Sequence, residues 1–184
     1  MGTDIWFYVE KRHYQREYQW TNGSVIEIPK SEKELNDTAR WVSEDRWKVN
    51  PNHYLYPEED ISQLILSDPS EFYRGNRNYD LFGILSNTRN DRNLKFISSP
   101  RGLPTDLSPE LREVALENKD DFYDHSWLLV EELLHFKWDE RFYCDTFMEY
   151  RNVKHVCSDF IHETIPKLSA LGEPKDVRVI FWFG

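Results

Sequence analysis

Apolar residues recur at every second position near the start of the chain: Ile5, Phe7 and Val9, with Trp6 and Tyr8 between them. This alternation predicts a β-strand over 4–10, and the aromatic residues on its second face require cover on both sides. Near the other end, Val177-Arg-Val-Ile-Phe-Trp-Phe183 is apolar on both faces, the pattern of a strand held inside a sheet. It is expected to pair with, or near, the first strand. Asn22-Gly23 separates 13–20 from 24–28, and both residues tolerate positive φ, so a hairpin is predicted there.

Between these strands the spacing turns helical. Ser31-Glu-Lys-Glu34 has the form of a capping box. Ile61, Leu64 and Ile65 predict a short helix over 58–66, stopped by Asp68-Pro69, after a loop over 50–57. A polar turn around Gly75 carries Arg74 and Arg77. Asn78 or Asp80 caps a helix bearing Leu81, Phe82, Ile84 and Leu85. Ser108-Pro109-Glu110 opens another, with Leu111, Val114 and Ala115 inward. Asp124-His125-Ser126 reads as the start of a helix reaching about Phe136, whose buried stripe is Leu129, Leu133 and Phe136. Thr146-Phe-Met-Glu149 matches a second capping box, and apolar residues follow at helical spacing to Leu168, with a kink or end at Pro166. The expected fold is α+β: a single domain over 1–184, with a mainly antiparallel sheet including both terminal strands and about four to five helices.

Composition narrows the function. Charged residues are 30% and aromatics 15% of 184 residues, which marks an ordered chain with ample core. A net charge of -10 opposes binding to long nucleic acid, although a few local arginines suffice to hold a small nucleotide. No apolar run suits a membrane span and no secretory signal is evident. Trp6 stands where a myristoylation motif requires Ser or Thr. Cys144 and Cys157 fall in or beside one predicted helix, which disfavours a disulfide and a metal site and fits the cytoplasm.

The candidate chemistry centres on 79–106. The helix after Tyr79 delivers Arg89, and the Pro100-Arg-Gly-Leu-Pro104 loop delivers Arg101 and Asp106. Two guanidinium groups suit a phosphate or carboxylate, with Asp106 orienting Arg101 or accepting from a ribose hydroxyl. The plainer alternative is that both arginines hold loops and Asp106 caps a turn. Tyr79, Trp127 and Trp182 offer flat walls to a base, or simply fill a core. His125 and Ser126 are too close in sequence to face one another as a triad, so a catalytic His125 needs a remote partner, Asp4 or Asp106. Helix capping is the simpler role for this tripeptide. His155 and His162 lie seven apart, off the spacing of a two-histidine metal site, so neither metal nor cofactor is expected. Trp41 and Trp47 either pack beneath connections or face a partner.

Taken in order, Met1-Gly2 with Asp4-Ile5, 79–85 with Arg89-Asn90, 101–106, Asp124-His125-Ser126 and 177–183 resemble the motifs of a family of small bacteriophage and bacterial proteins without an assigned activity. The chain departs from that pattern at Thr3, where relatives carry Cys, and at Trp6, where they carry His. The resemblance implies a phage-type accessory protein working in the host cytoplasm. The function expected is binding, and possible sequestration as a host immune signal, of a small nucleotide-like or phosphorylated ligand. Arg89, Arg101, Asp106, His125, Ser126 and Tyr79 would line its pocket. Two other readings stay open. One is a hydrolase or phosphodiesterase in which His125 works with Asp106 or Asp4. The other is an interaction module presenting Trp41, Trp47 and an acidic surface. Aromatic surface and an exposed sheet edge also permit a homo-oligomer.

Overall fold

The computed structural model describes residues 2–44, 47–48, 65–66, 72–73, 77–117 and 119–184. The elements in chain order are β1 (Ile5–His13), β2 (Glu17–Thr21), β3 (Ser24–Ile28), α1 (Glu32–Thr38), β4 (Arg40–Ser43), β5 (Trp47–Lys48), β6 (Ile65–Leu66), α2 (Tyr79–Ser86) and α3 (Pro109–Glu117). There follow β7 (Tyr123–Leu129), α4 (Val130–His135), β8 (Arg141–Cys144), β9 (Glu149–Asn152), α5 (Val153–Val156), a π-helical turn (Phe160–Thr164), α6 (Ile165–Ser169) and β10 (Val177–Phe183). The architecture is α+β, and its central sheet runs β4-β1-β10-β7 with every neighbour antiparallel. Among the described residues no helix is long and apolar enough to cross a membrane.

The two terminal strands lie side by side, from Ile5 opposite Phe183 to Lys11 opposite Val177. All seven residues of β10 are buried, as its unbroken apolar run requires. Side chains alternate across the sheet. Val177, Val179, Phe181 and Phe183 enter a large core with Leu81, Phe82, Leu133, Phe160 and Leu168. Ile180 and Trp182 enter a smaller one with Leu107, Leu111 and Ala115. The sheet is therefore covered on one face by α2, α4 and α6 and on the other by α3.

Arg178 also points to the second face, where it is 2% exposed and directly opposite the fully buried Glu10. Its Nε and Nη2 donate to Glu10 Oε2 at 2.7 and 2.6 Å. The other carboxylate oxygen of Glu10 accepts from the Ser108 amide at 2.8 Å. Arg178 Nη1 donates to Asp106 Oδ1 at 2.7 Å, and the guanidinium lies 4.0 Å from the Trp41 ring centre. Two buried charges are thus neutralised within the sheet, and their remaining valences tie down the loop before α3 and strand β4.

Local signals hold in several places. Asn22 (φ 52°) and Gly23 (φ 79°) turn the β2–β3 hairpin, as positive φ at both positions predicts. Ser31 and Glu34 form the reciprocal capping box of α1. Asn78 caps α2 through the Leu81 amide at 3.1 Å.

Three expectations are corrected. Asp124-His125-Ser126 does not open a helix; it lies in β7, where Ser126 and Trp127 pair with Phe181 and Ile180 of β10. The continuous apolar run from Trp127 suits either element, and the open edge of β10 selects a strand. Thr146–Glu149 is no capping box, because it turns the β8–β9 hairpin with Met148 at φ 50°. Helical structure begins only at Val153, capped by Asn152 on the Lys154 amide at 2.7 Å. It then widens into the π-helical turn before Pro166, which has no amide hydrogen to donate. Of the predicted 58–66 helix, Ile65 and Leu66 form a strand pairing with Trp47–Lys48. The rest, with the 50–57 loop and Arg74, lies outside the described residues.

Removing one partner from a buried, hydrogen-bonded ion pair leaves an uncompensated charge. Arg178→Met is therefore expected to lower unfolding free energy by about 3–5 kcal/mol in urea titration. Adding Glu10→Gln should recover part of that loss, since the stranded charge is then gone.

Candidate functional site

The residues singled out from sequence fall into three separate places. Arg101 is held by the body of the protein. Its Nη2 and Nη1 fork onto the Glu132 carboxylate at 2.6 and 2.9 Å. It also donates to the Trp127 carbonyl at 3.1 Å and to Ser98 Oγ at 2.9 Å, and sits 4.8 Å over the Trp127 ring. Ser126 belongs to this group, accepting the Arg101 amide at 3.2 Å from a fully buried position. The His125 carbonyl accepts from the Gly102 amide at 2.8 Å, and its ring packs 5.5 Å from that of the buried Trp182. These contacts close the 100–103 loop over the outer edge of β7.

Asp106 forms the second group. It pairs with Arg178, not with Arg101, and accepts from the Trp41 indole at 3.0 Å. Burial would raise the Asp106 pKa, but the Arg178 guanidinium and the Trp41 N–H outweigh it and hold the carboxyl below its ordinary range. Trp41 is accordingly a packing residue of this network.

The third group gathers at the end of the sheet where β1 begins. Tyr79 opens α2, and its hydroxyl accepts from the Thr3 amide at 3.2 Å. The buried Thr3 hydroxyl meets the Tyr123 hydroxyl at 2.9 Å. Asp4 takes Arg77 bidentately at 2.7 and 3.0 Å. A Cβ at Gly2 would displace the Arg77 guanidinium, the far end of a half-exposed side chain. The structure ties Tyr79 to Tyr123 through Thr3, places Arg89 exposed in the turn after α2 at φ 54°, and holds Arg101 and Asp106 with other partners. Of the remote partners considered for His125, Asp4 is engaged by Arg77 and Asp106 by Arg178.

A cleft of about 870 Å³ adjoins this third group through Arg77 and Tyr79. It is lined by Arg77 and the start of α2, by Arg92, and by Arg151 of β9. A stripe at four-residue intervals, His155, Asp159, Glu163 and Lys167, runs along it from α5 through the π-helical turn into α6. Arg77, Arg92, Arg151 and Lys167 line it together with Asp80, Asp159 and Glu163, and Arg77 and Arg151 are paired with Asp4 and Glu149 beyond the lining. Arg92 lies at the margin of the large core: it pairs with Asp80, reaches Cys144 Sγ at 3.3 Å and lies 5.5 Å from the Phe142 ring centre. Arg151 pairs with Glu149 at 3.1 Å on the surface. His162, the second histidine of the sequence pair, is not among the lining residues. Among the described residues no three His, Cys, Asp or Glu side chains are grouped to hold a metal ion.

The sequence reading did not place this cleft. Its one local signal was the four-residue spacing from His155 to Lys167; its other wall comes from residues far away in the chain. Comparison with family models, with curated proteins and with solved structures found no match.

Two outcomes follow from these environments. Burial also opposes the lowering of the Glu132 pKa, but Arg101 and the Leu129 amide overcome it. Asp106 and Glu132 therefore contribute stability that is present above the unfolded carboxylate range. It is lost as pH falls through their depressed folded values. Urea midpoints should be level near neutrality and fall below about pH 4, and Glu132→Gln should flatten that fall. Both cysteines are buried and free, and burial, with the Asp80 charge, pushes the Cys157 thiol up to about 12. A thiol reagent at about pH 8 should leave native Cys157 unlabelled and modify it only in denaturant.

Proposed function

We propose that the protein binds a small phosphorylated, nucleotide-like ligand in the cleft between α2 and the α5–α6 stripe. The observation that carries this reading is the concentration of Arg77, Arg92, Arg151 and Lys167 around one cleft of an acidic protein. Its volume of about 870 Å³ lies in the range of small-molecule sites. The ion pair of Arg77 supports an exchange of partners. Both it and Asp4 are 52% exposed, and exposed pairs contribute little, so a phosphate can replace the carboxylate at small cost. Arg101 lacks that freedom, being committed to a carboxylate, a carbonyl and a ring at once. Tyr79, partly exposed at the cleft mouth, offers a face to a base.

The resemblance to phage proteins supports an accessory role in which the ligand is a host nucleotide signal removed by sequestration. The test is to incubate the protein with a host small-molecule extract, denature it and identify what is released by mass spectrometry. An intact nucleotide is expected, and in an Arg77→Ala/Arg92→Ala variant its affinity should fall about tenfold or more, given the strength of charge-assisted bidentate bonds. A chemically altered product would favour the hydrolase, with His155 as the histidine that lines the cleft. Release of nothing would overturn the binding reading.

A further inference from the structure

We propose that the β2–β3 hairpin is a self-association arm, through which two copies of this chain join along their β2 edges into one four-stranded antiparallel sheet. This surface stands apart from the cleft, and its failure leaves the cleft reading untouched.

Every strand residue of the hairpin is exposed. Among them are large apolar side chains: Tyr18 (41%), Trp20 (74%), Val25 (49%), Ile26 (52%) and Ile28 (39%). Opposed residues share a face, so Tyr18, Trp20 and Val25 lie on one side and Ile26 and Ile28 on the other. Among the described residues neither edge of the hairpin pairs with another strand. A two-stranded hairpin alone is marginal in water, and an exposed apolar edge is a template for a further strand. This hairpin is nonetheless well formed. Asn22 and Gly23 turn it, and Arg16–Glu27 (2.9 Å) and Lys30–Glu17 (2.7 Å) bridge its root.

Charge points to the occupant. Residues 18–26 contain no charged side chain, in a chain that is 30% charged and carries a net charge of -10. A partner recognised by its charge would be met here by charges of the opposite sign. Two acidic copies repel one another over the rest of their surface and can approach closely on a neutral one. The two edges of the hairpin also differ. β3 runs into Pro29 and Lys30, residues that close an edge to pairing, whereas β2 contains neither type.

The register follows from the turn. With Asn22 and Gly23 both at positive φ, Thr21 and Ser24 form the hydrogen-bonded pair that closes the loop. Hydrogen-bonded and open pairs alternate from there, so the amides and carbonyls of Trp20 and Tyr18 point to the free side of β2. A two-fold axis at Gln19 sets Tyr18 of each copy opposite Trp20 of the other and bonds those groups together. Glu17 then lies opposite Thr21 of the second copy, so no acid faces an acid. One face of the joined sheet becomes a seam of tyrosine and tryptophan rings flanked by Val25. The contact is closed, because each copy uses the same edge.

The test is sedimentation velocity on the full chain over a concentration series, at low and at high salt. A hairpin contact is smaller than a standard interface, so a dimer with a micromolar dissociation constant is expected. Salt should leave it intact or tighten it, since it screens the repulsion between copies. Trp20→Lys should weaken it about tenfold or more, the scale of losing an aromatic anchor, with an unchanged thermal melt because Trp20 is exposed in the single copy. Gln19→Cys reads the register. Mild oxidation should link two copies of it, whereas Thr21→Cys, opposite Glu17 of the second copy, should stay unlinked; native Cys144 and Cys157 are buried. Monomer alone up to about 1 mM would overturn the proposal. So would a dimer that salt dissolves, one that Trp20→Lys leaves undiminished, or linkage of Thr21→Cys in place of Gln19→Cys.

Discussion

A buried ion pair sets the terms for the rest of this structure. Glu10 and Arg178 face each other across the two central strands, both essentially without solvent. Charges in such a place must be fully satisfied or the sheet does not form. The carboxylate finds a second donor in the Ser108 amide, and the guanidinium finds Asp106 and the Trp41 ring. One requirement for satisfaction therefore positions a loop, the start of α3 and strand β4. It also fixes register. A slip of one residue between β1 and β10 would turn one of the two charges into the large apolar core and strand the other, since side-chain direction alternates along a strand.

Once that register is set, the opposite face follows from packing. Val177, Val179, Phe181 and Phe183 present a broad apolar surface to Leu81, Phe82, Phe160 and Leu168. Docking α2 and the α5–α6 segment on one surface leaves a gap between their polar sides, and that gap is the cleft. The π-helical turn contributes by widening the second segment just where His155, Asp159, Glu163 and Lys167 line the wall. Where β1, β7 and β10 run out, Thr3 joins the Tyr79 and Tyr123 hydroxyls.

Legibility in the sequence tracked how local the deciding interactions are. The terminal strands, the Asn22-Gly23 turn and the caps of α1 and α2 are set within a few residues, and all could be read from them. The α+β class and the pairing of the terminal strands followed. β7 could not be read so directly, because a run such as Trp127-Leu-Leu-Val130 serves a helix or a strand equally, and its neighbour in the sheet lies about fifty residues later in the chain. Thr146 to Glu149 has the composition of a cap and the geometry of a turn, a distinction that depends on the β8–β9 pairing. The arginines show the same limit in the candidate site. Arg101 reads in the sequence as a free guanidinium, yet it is occupied by Glu132, 31 positions later in the chain. The cleft joins residues 77–80 with 151–167, so no contiguous motif could announce it.

The pairing of β1 with β10 has a consequence for biosynthesis. Glu10 and Arg178 are separated by 168 positions, and the Asp4 amide reaches the Gly184 carbonyl at 2.8 Å. On the ribosome, the first strand emerges long before the strand that completes it. Until then, its aromatic edge has no permanent neighbour, and the central layer of the domain cannot assemble piecemeal. Such long-range closure is slow and leaves a nascent chain exposed to wrong pairings. Synthesis of this protein therefore carries a waiting period, during which a holding chaperone would have an exposed apolar strand to grasp.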